Sequence, residues 1–131
     1  MLRHQSGFTL IELIAVIVIL GILAATAVGK YVDMQKEAQT AVANNLAGTL
    51  ENAALINYNL WILNTMGVSD VPYETITNCD VTPIVLHNST LPAGYSIDSV
   101  PMIPHYFAWC RLRGPYGIVV VFKSRGTRAG D

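Results

Sequence analysis

The stretch FTLIELIAVIVILGILAATAV, residues 8–28, decides how this chain is built. It holds one ionisable side chain, Glu12, and otherwise only apolar or small polar residues. As an α-helix it would rise about 31 Å at 1.5 Å per residue, close to the roughly 30 Å hydrocarbon thickness of a bilayer. We therefore predict one helix able to cross a membrane, and its single carboxylate needs a partner because an isolated charge in hydrocarbon is costly.

The residues around this segment indicate its orientation. Arg3 precedes it, so by the positive-inside tendency the short N-terminus stays in the cytoplasm and Lys30 onward lies outside. An ordinary secretory signal is the competing interpretation, because Ala25-Thr26-Ala27 has the small residues of a cleavage site. The apolar run exceeds the roughly 7 to 15 residues usual for such a signal. Its length therefore favours a helix that is retained in the mature protein.

The composition favours a membrane or assembly protein over an enzyme. Only 13% of the 131 residues are charged, against about 25% in ordinary soluble domains. The net charge of −1 shows no basic excess of the kind that indicates nucleic-acid binding. No catalytic motif, phosphate loop or metal-ligand spacing occurs, so we predict no enzyme, no metal and no cofactor. The acidic residues Asp70, Glu74, Asp80 and Asp98 could contribute to a calcium site, an alternative that stays open although their spacing matches no calcium loop.

The hydrophobic pattern predicts an α+β fold, in which a long N-terminal α-helix packs on a small antiparallel β-sheet. One helix is expected from about Thr9 to Asn64, because apolar residues continue at steps of three and four beyond residue 30. Its second half would turn one stripe toward the sheet. The predicted stripe consists of Tyr31, Met34, Ala38, Val42, Leu46, Leu50, Ala53, Ile56, Leu60 and Leu63.

The sequence pattern of the C-terminal part of the chain predicts a loop followed by short strands. The loop begins at Met66, where turn-forming residues cluster. Gly114-Pro115 predicts a hairpin turn, and the tail from Lys123 is expected to be frayed. The predicted strands cover residues 83–87, 94–100, 105–113 and 117–122.

Cys79 and Cys110 are the only cysteines, and they are 31 positions apart. This spacing matches neither a C-x-x-C redox motif nor a zinc site. In a periplasmic or extracellular chain with a small core it favours one disulfide, worth roughly 3 to 4 kcal/mol through the unfolded state. The bridge would hold the loop against a strand. Two buried free thiols remain the alternative for a cytoplasmic domain.

The run Gly7-Phe8-Thr9-Leu10-Ile11-Glu12-Leu13, followed by IAVIVILGILAA, resembles the N-terminus of type IV prepilins and of the related type II secretion pseudopilins. The segment IVILGILAATAVGKYVDMQKEA resembles mannose-sensitive haemagglutinin-type pilins in particular. The resemblance implies a pilin-like fold in three segments. These are a leader peptide at 1–7, a transmembrane and filament-core helix at 8–29, and a periplasmic or extracellular head at 30–131.

The resemblance also implies a sequence of processing and assembly. A membrane prepilin peptidase would cut between Gly7 and Phe8 and methylate the new amino group of Phe8. Before assembly, the subunit would lie in the inner membrane, in contact with lipid, with its C-terminus in the periplasm. An inner-membrane assembly platform would then add it to an extracellular filament of identical copies. Glu12 of one copy would pair with the Phe8 ammonium of a neighbour, so that two buried charges become tolerable together.

The implied function is therefore that of a structural subunit of a type IV pilus, serving adhesion or motility. Two alternatives stay open at this point. One is a pseudopilin of type II secretion. The other is a minor pilin that binds DNA through the basic residues between Arg111 and Arg128, in which case binding would depend on salt.

Overall fold

The computed structural model describes residues 6–86 and 88–128. The helix α1 (Leu10–Thr65) is followed by a 3-10 turn (Cys79–Val85) and by the strands β1 (Ser96–Ile97), β2 (Phe107–Arg113) and β3 (Val119–Arg125). The strands pair antiparallel in the order β1-β2-β3. The predicted α+β class is confirmed, and so is the long helix, whose bounds differ from the prediction by one residue at each end.

The chain divides into two compact units, Met1–Glu37 and Ala38–Asp131. In the first unit all residues from 6 to 30 are exposed. Their helix is held by its own backbone hydrogen bonds, and its large apolar side chains have no core to enter. Within the described residues, α1 is the one helix long and apolar enough to cross a membrane.

The second unit has a small core between α1 and the sheet. The buried helix residues recur at steps of three and four, so they form one stripe. Three of them are alanines. The buried stripe consists of Ala43, Ala47, Leu50, Ala54, Asn57 and Trp61. The sheet and loop contribute Ile76, Cys79, Met102, Cys110, Leu112 and Phe122 to the same core.

The stripe predicted from the sequence is therefore wrong for most of its members. Leu50 alone among the ten is fully buried, and Ile56 is 62% exposed. The buried positions 43, 47, 54, 57 and 61 each follow a predicted position by one residue, which is a rotation of about 100° around the helix. The prediction placed the apolar Ile56 on the buried face, but the structure buries Asn57 and Trp61 instead.

Two predicted strands differ from the structure. Residues 83–87 were expected to be extended, but Cys79–Val85 is a 3-10 turn with Pro83 inside it, and residue 87 lies outside the described residues. Proline has no backbone N–H to give to a sheet. The strand expected at 94–100 shrinks to Ser96–Ile97, because a turn bonded from Tyr95 N–H to the Pro92 carbonyl precedes it. The strands at 105–113 and 117–122 are confirmed, with shifted ends.

The hairpin between β2 and β3 is present, but its turn is longer than predicted. A 3-10 turn at Pro115–Gly117 joins the two strands, with Tyr116 at φ 58° and Gly117 at φ 71°. Glycine suits such a left-handed position because it has no Cβ to clash with the backbone.

The tail is ordered where it was expected to be frayed. β3 runs to Arg125, and the side chains of Ser124 and Thr127 are fully buried. Ser124 Oγ lies 3.0 Å from Thr82 Oγ1, so the two buried hydroxyls satisfy each other. Residues 129–131 of the predicted tail lie outside the described residues.

Candidate functional site

The predicted cleavage bond lies in accessible, non-helical backbone. Residues 6–9 precede the first turn of α1, and Gly7 and Phe8 are both exposed, Phe8 to 94%. A Cβ built on Gly7 would meet nothing within 4 Å. The fold of this chain therefore does not require glycine here. Cleavage after Gly7 and methylation of Phe8 stay predictions.

Thr9 and Glu12 form a reciprocal cap at the start of α1. The Thr9 N–H donates to Glu12 Oε2 at 2.9 Å, and the Glu12 N–H donates to Thr9 Oγ1 at 3.4 Å. This is a capping box, in which a threonine and a glutamate three residues later satisfy backbone donors that the helix itself leaves unbonded. The pattern T-x-x-E was visible in the sequence and was overlooked.

The capping box explains part of why a carboxylate stands in an apolar run. A negative charge in the first helical turn is also favoured by the helix dipole. In the described part of the chain Glu12 forms no ion pair, and it is exposed. The cap satisfies backbone hydrogen bonds, and no cation among the described residues pairs with the Glu12 carboxylate.

The disulfide predicted from the sequence is present in the structure. Cys79 and Cys110 are bonded, with their Cα atoms 5.6 Å apart and both side chains fully buried. The bond joins the start of the 3-10 turn to the middle of β2. It therefore holds the end of the connecting loop against the sheet, as expected.

Two asparagines of α1 hold the same loop by its backbone. Asn57 Nδ2 donates to the Glu74 carbonyl at 2.8 Å, and the Glu74 N–H donates to Asn57 Oδ1 at 2.7 Å. Asn64 Nδ2 donates to the Val71 carbonyl at 2.7 Å. The sequence analysis missed both residues. The available signal was a polar residue, Asn57, one position after a member of the predicted apolar stripe.

Residues that follow β3 also form hydrogen bonds with this loop. Thr127 Oγ1 accepts a hydrogen bond from the Ile76 N–H at 2.9 Å and donates to the Glu74 carbonyl at 2.6 Å. Tyr73 donates its hydroxyl to the Arg128 carbonyl at 3.0 Å. Loop, helix and C-terminal residues thus form one hydrogen-bonded unit.

The exposed face of the sheet carries aromatic rings and cations together. Lys123 Nζ lies 4.9 Å from the ring centre of Trp109 and 5.6 Å from that of Phe107, and Lys123 pairs with Trp109 across the strands. Arg125, at the end of β3, contacts the helix instead, with its guanidinium carbon 4.8 Å from the ring centre of Tyr58 on α1. Such contacts between cations and π faces hold the charged groups in defined positions.

One carboxylate neutralises part of the basic cluster. Arg113 Nε and Nη2 donate to the two oxygens of Asp98 at 2.6 and 2.9 Å, and Arg111 Nε lies 3.8 Å from the same carboxylate. The hydrogen bond from Arg113 lowers the pKa of Asp98 below its ordinary value. Two of the five basic residues proposed for DNA binding are therefore already engaged, and the DNA-binding alternative stays a prediction.

The acidic residues that the structure describes do not assemble into a metal centre. In residues 6–86 and 88–128, no three His, Cys, Asp or Glu side chains lie close enough together to hold an ion.

Comparison with known protein families finds a match at the N-terminus. Residues 2–28 match the family model described as the prokaryotic N-terminal methylation motif. This range includes both sides of the predicted cleavage bond and Glu12.

Three relatives illustrate the range of similar proteins. The chain is 35% identical over 99 residues to the type IV major pilin protein PilE1 of Neisseria gonorrhoeae, covering 73% of this chain and 46% of the relative. It is 49% identical over 55 residues to the fimbrial protein EcpC of Eikenella corrodens, covering 42% and 36%. It is 43% identical over 60 residues to the type II secretion system core protein G of Pseudomonas aeruginosa, covering 43% and 42%.

The chain thus spans less than half the length of each of these three relatives. No solved structure matches. The resemblance to type IV prepilins, with pseudopilins as related proteins, is confirmed by the motif and by these relatives. The narrower likeness to mannose-sensitive haemagglutinin-type pilins stays a prediction.

Proposed function

We propose that this chain, which carries the prepilin methylation motif, is the structural subunit of a type IV pilus filament that serves adhesion or motility. One observation supports this proposal most strongly. The residues from 6 to 30 are exposed throughout, although most of them are large and apolar, and they follow the prepilin motif. Such a surface is stable only in a membrane or against other helices.

The proposed route of the subunit from the membrane to the filament has two stages. The prepilin motif and the apolar N-terminal helix fit a membrane anchor that later joins a filament. In the first stage the helix spans the inner membrane with the head in the periplasm, and prepilin peptidase cuts between Gly7 and Phe8 and methylates Phe8. In the second stage an inner-membrane assembly platform moves the subunit from lipid into the extracellular filament.

The hydrophobic effect alone does not account for the second stage. Lipid chains are as apolar as leucine, so moving the helix from bilayer to filament core buries no additional surface from water. The preference for the filament must come from close side-chain packing and from polar groups that find partners there. Glu12 is the ionisable group between residues 8 and 28, so it is the group best placed to favour assembly.

Cleavage would provide the missing cation. It creates an ammonium group on Phe8, four residues before Glu12, at the start of a helix in every subunit. An ammonium of one subunit and a carboxylate of the next would together bury two charges at much lower cost than either alone. Because the pair forms only at one axial offset, it would also set the register between neighbouring helices.

The capping box allows a sharp test of this role. Glu12→Gln keeps a side chain that can cap Thr9 but removes the charge, since glutamine also serves in capping boxes. Thr9→Ala removes the other half of the cap but keeps the charge. Each variant is expressed as the sole pilin, and sheared filaments are counted by electron microscopy while membrane fractions are probed for the processed subunit.

We expect Glu12→Gln to be processed and membrane-bound but at least tenfold reduced in filaments, and Thr9→Ala to assemble nearly as wild type. Wild-type filament numbers from Glu12→Gln would show that the carboxylate acts only as a cap. Wild-type protein that forms no filaments under any condition, although it is processed, would contradict the proposed function itself.

A pseudopilin of type II secretion is the second candidate. It is favoured by the 43% identity over 60 residues to the type II secretion system core protein G. Deletion of the gene separates the two functions. A pilus subunit is required for surface filaments, whereas a pseudopilin is required for release of secreted enzymes, which would otherwise accumulate in the periplasm.

A further inference from the structure

Charges of opposite sign occupy different parts of the chain. Residues 37–110 contain no Lys or Arg, and residues 111–128 contain no Asp or Glu. The acidic residues of the first part are Glu37, Glu51, Asp70, Glu74, Asp80 and Asp98. The basic residues of the second part are Arg111, Arg113, Lys123, Arg125 and Arg128. A net charge near zero therefore conceals a strongly polar distribution.

The fold places three of the acids on the side of the sheet that carries the core. Asp70, Glu74 and Asp80, which we call the acidic segment, are all exposed. They lie on the stretch that Asn57 of α1 binds by its backbone and that Cys79 joins to the buried face of β2.

The basic residues lie on the opposite face. Arg111 alternates along β2 with the buried Cys110 and Leu112, and side chains of successive residues in a strand point to opposite faces. Lys123 and Arg125 alternate in the same way along β3 with buried Phe122 and Ser124. We call Arg111, Lys123 and Arg125 the basic face.

Among the described residues, the ion pairs of the chain do not include the acidic segment. These ion pairs join Arg111 and Arg113 to Asp98. The exposed Lys123 contacts the ring of Trp109 on the same face, whereas the half-buried Arg125 contacts the ring of Tyr58 on α1. The other carboxylate beside this face, Glu51, accepts the Lys123 backbone N–H at 3.0 Å.

Both surfaces also expose apolar side chains that a contact could bury. Val68 and Val71 flank Asp70, and each is at least half exposed. Phe107, Trp109 and Val121 are likewise more than half exposed on the basic face. A contact with a charged rim and apolar side chains near its centre has the usual composition of a protein interface.

We propose that the acidic segment of one subunit binds the basic face of the next copy of this chain, an inference that rests on the filament function proposed above. The two surfaces differ and lie on opposite sides of the sheet, so the contact is heterologous. A heterologous contact that does not close into a ring generates an open helical filament. The two like-charged surfaces repel their own copies, which disfavours a closed dimer through either one.

Reversal of charge on each surface tests the contact. Asp70→Lys with Glu74→Lys reverses the acidic segment, and Lys123→Glu with Arg125→Glu reverses the basic face. Each double variant, expressed as the sole pilin, should give at least tenfold fewer sheared filaments than wild type. The fourfold variant gives the two surfaces opposite net charges again and should recover more than half of the wild-type number.

The outcomes separate this inference from the proposed function. Wild-type filaments from both double variants would overturn the contact and leave the filament function standing. Loss in both double variants without recovery in the fourfold variant, with all variants disulfide-bonded and membrane-inserted, would also overturn it.

A second measurement does not depend on whether any variant folds. Because the charges are exposed, salt screens them, so wild-type filaments should dissociate at lower temperature as NaCl is raised. A dissociation temperature that is unchanged by salt would overturn the contact. Wild-type cells without any filaments would instead contradict the proposed function.

Discussion

The side chains of Thr9 and Glu12 cap the same helix start from both directions, with the Thr9 N–H 2.9 Å from Glu12 Oε2. The carboxylate therefore has a structural task in the single chain, and pairing with a cation would be a second task in the filament. A substitution that removes the whole side chain removes both. This is why Glu12→Gln and Thr9→Ala, taken together, are more informative than Glu12→Ala.

Replacement of Gly7 should block processing without disturbing the fold. The space around Gly7 is open and its backbone is outside the helix, so Gly7→Val meets no steric obstacle within the chain. We expect wild-type protein to begin at Phe8 and Gly7→Val to keep Met1 to Gly7, as read by mass spectrometry of the intact protein. Gly29→Ala, also in open space, is the matched control and should be processed normally.

A mature protein that begins at another residue would contradict the predicted cleavage bond. A start near Val28 would indicate an ordinary secretory signal.

The buried face of α1 can be tested by comparing two large apolar residues of the same helix. Leu50 is fully buried, whereas Ile56 is 62% exposed. We expect Leu50→Ala to lower the free energy of unfolding by about 2 to 5 kcal/mol, the usual cost of a core cavity. Ile56→Ala should change it by no more than about 1 kcal/mol. Urea unfolding of the full chain in detergent measures both, and equal losses would contradict the assigned face.

Loss of the Asn57 side chain should weaken the attachment of the loop. Asn57→Ala leaves the backbone N–H of Glu74 without its partner and removes one of the two hydrogen bonds to the Glu74 carbonyl, which Thr127 still bonds. We expect a loss of about 1 to 3 kcal/mol in unfolding free energy, the usual cost of unsatisfied buried polar groups. Asn59→Ala, at an exposed position of the same helix, is the control and should stay within about 0.5 kcal/mol of wild type. An equal loss of stability from the two substitutions would argue against the role of Asn57 in holding the loop.

Stability should depend on pH through Asp98. Its hydrogen bond from Arg113 lowers its pKa below the ordinary 3.8, so the folded chain binds this proton less readily than the unfolded chain. The stabilising contribution of Asp98 is fully present at pH values above 3.8, its ordinary pKa. It is lost as the pH falls through the lower pKa that Asp98 has in the folded chain. Wild type should therefore be more stable than Asp98→Asn near neutral pH.

This difference should vanish in acid, where both side chains are neutral. Thermal unfolding at several pH values measures it, and a difference that persists in strong acid would exclude the ion pair as its cause. The effect is expected to be small because both groups are exposed to solvent.

The sequence by itself determined the features that depend on local pattern or on simple counting. The apolar run from 8 to 28 predicts a helix because no other structure satisfies its backbone in lipid. Two cysteines allow only one intramolecular pairing, and the structure contains it. The strands β2 and β3 were predicted from the aromatic residues of β2 and the β-branched residues of β3, which favour extended backbone.

Only the tertiary structure decided which side chains meet across long distances in the sequence. Periodicity marks apolar stripes on α1, but several stripes coexist, and the core forms against the one that contains Ala47, Leu50 and Trp61. The ordered tail depends on Thr127 meeting the loop at Ile76, 51 positions away. The opposite placement of acidic and basic residues likewise follows from the disulfide and the strand pairing, because local preferences carry no information about which face a distant segment will cover.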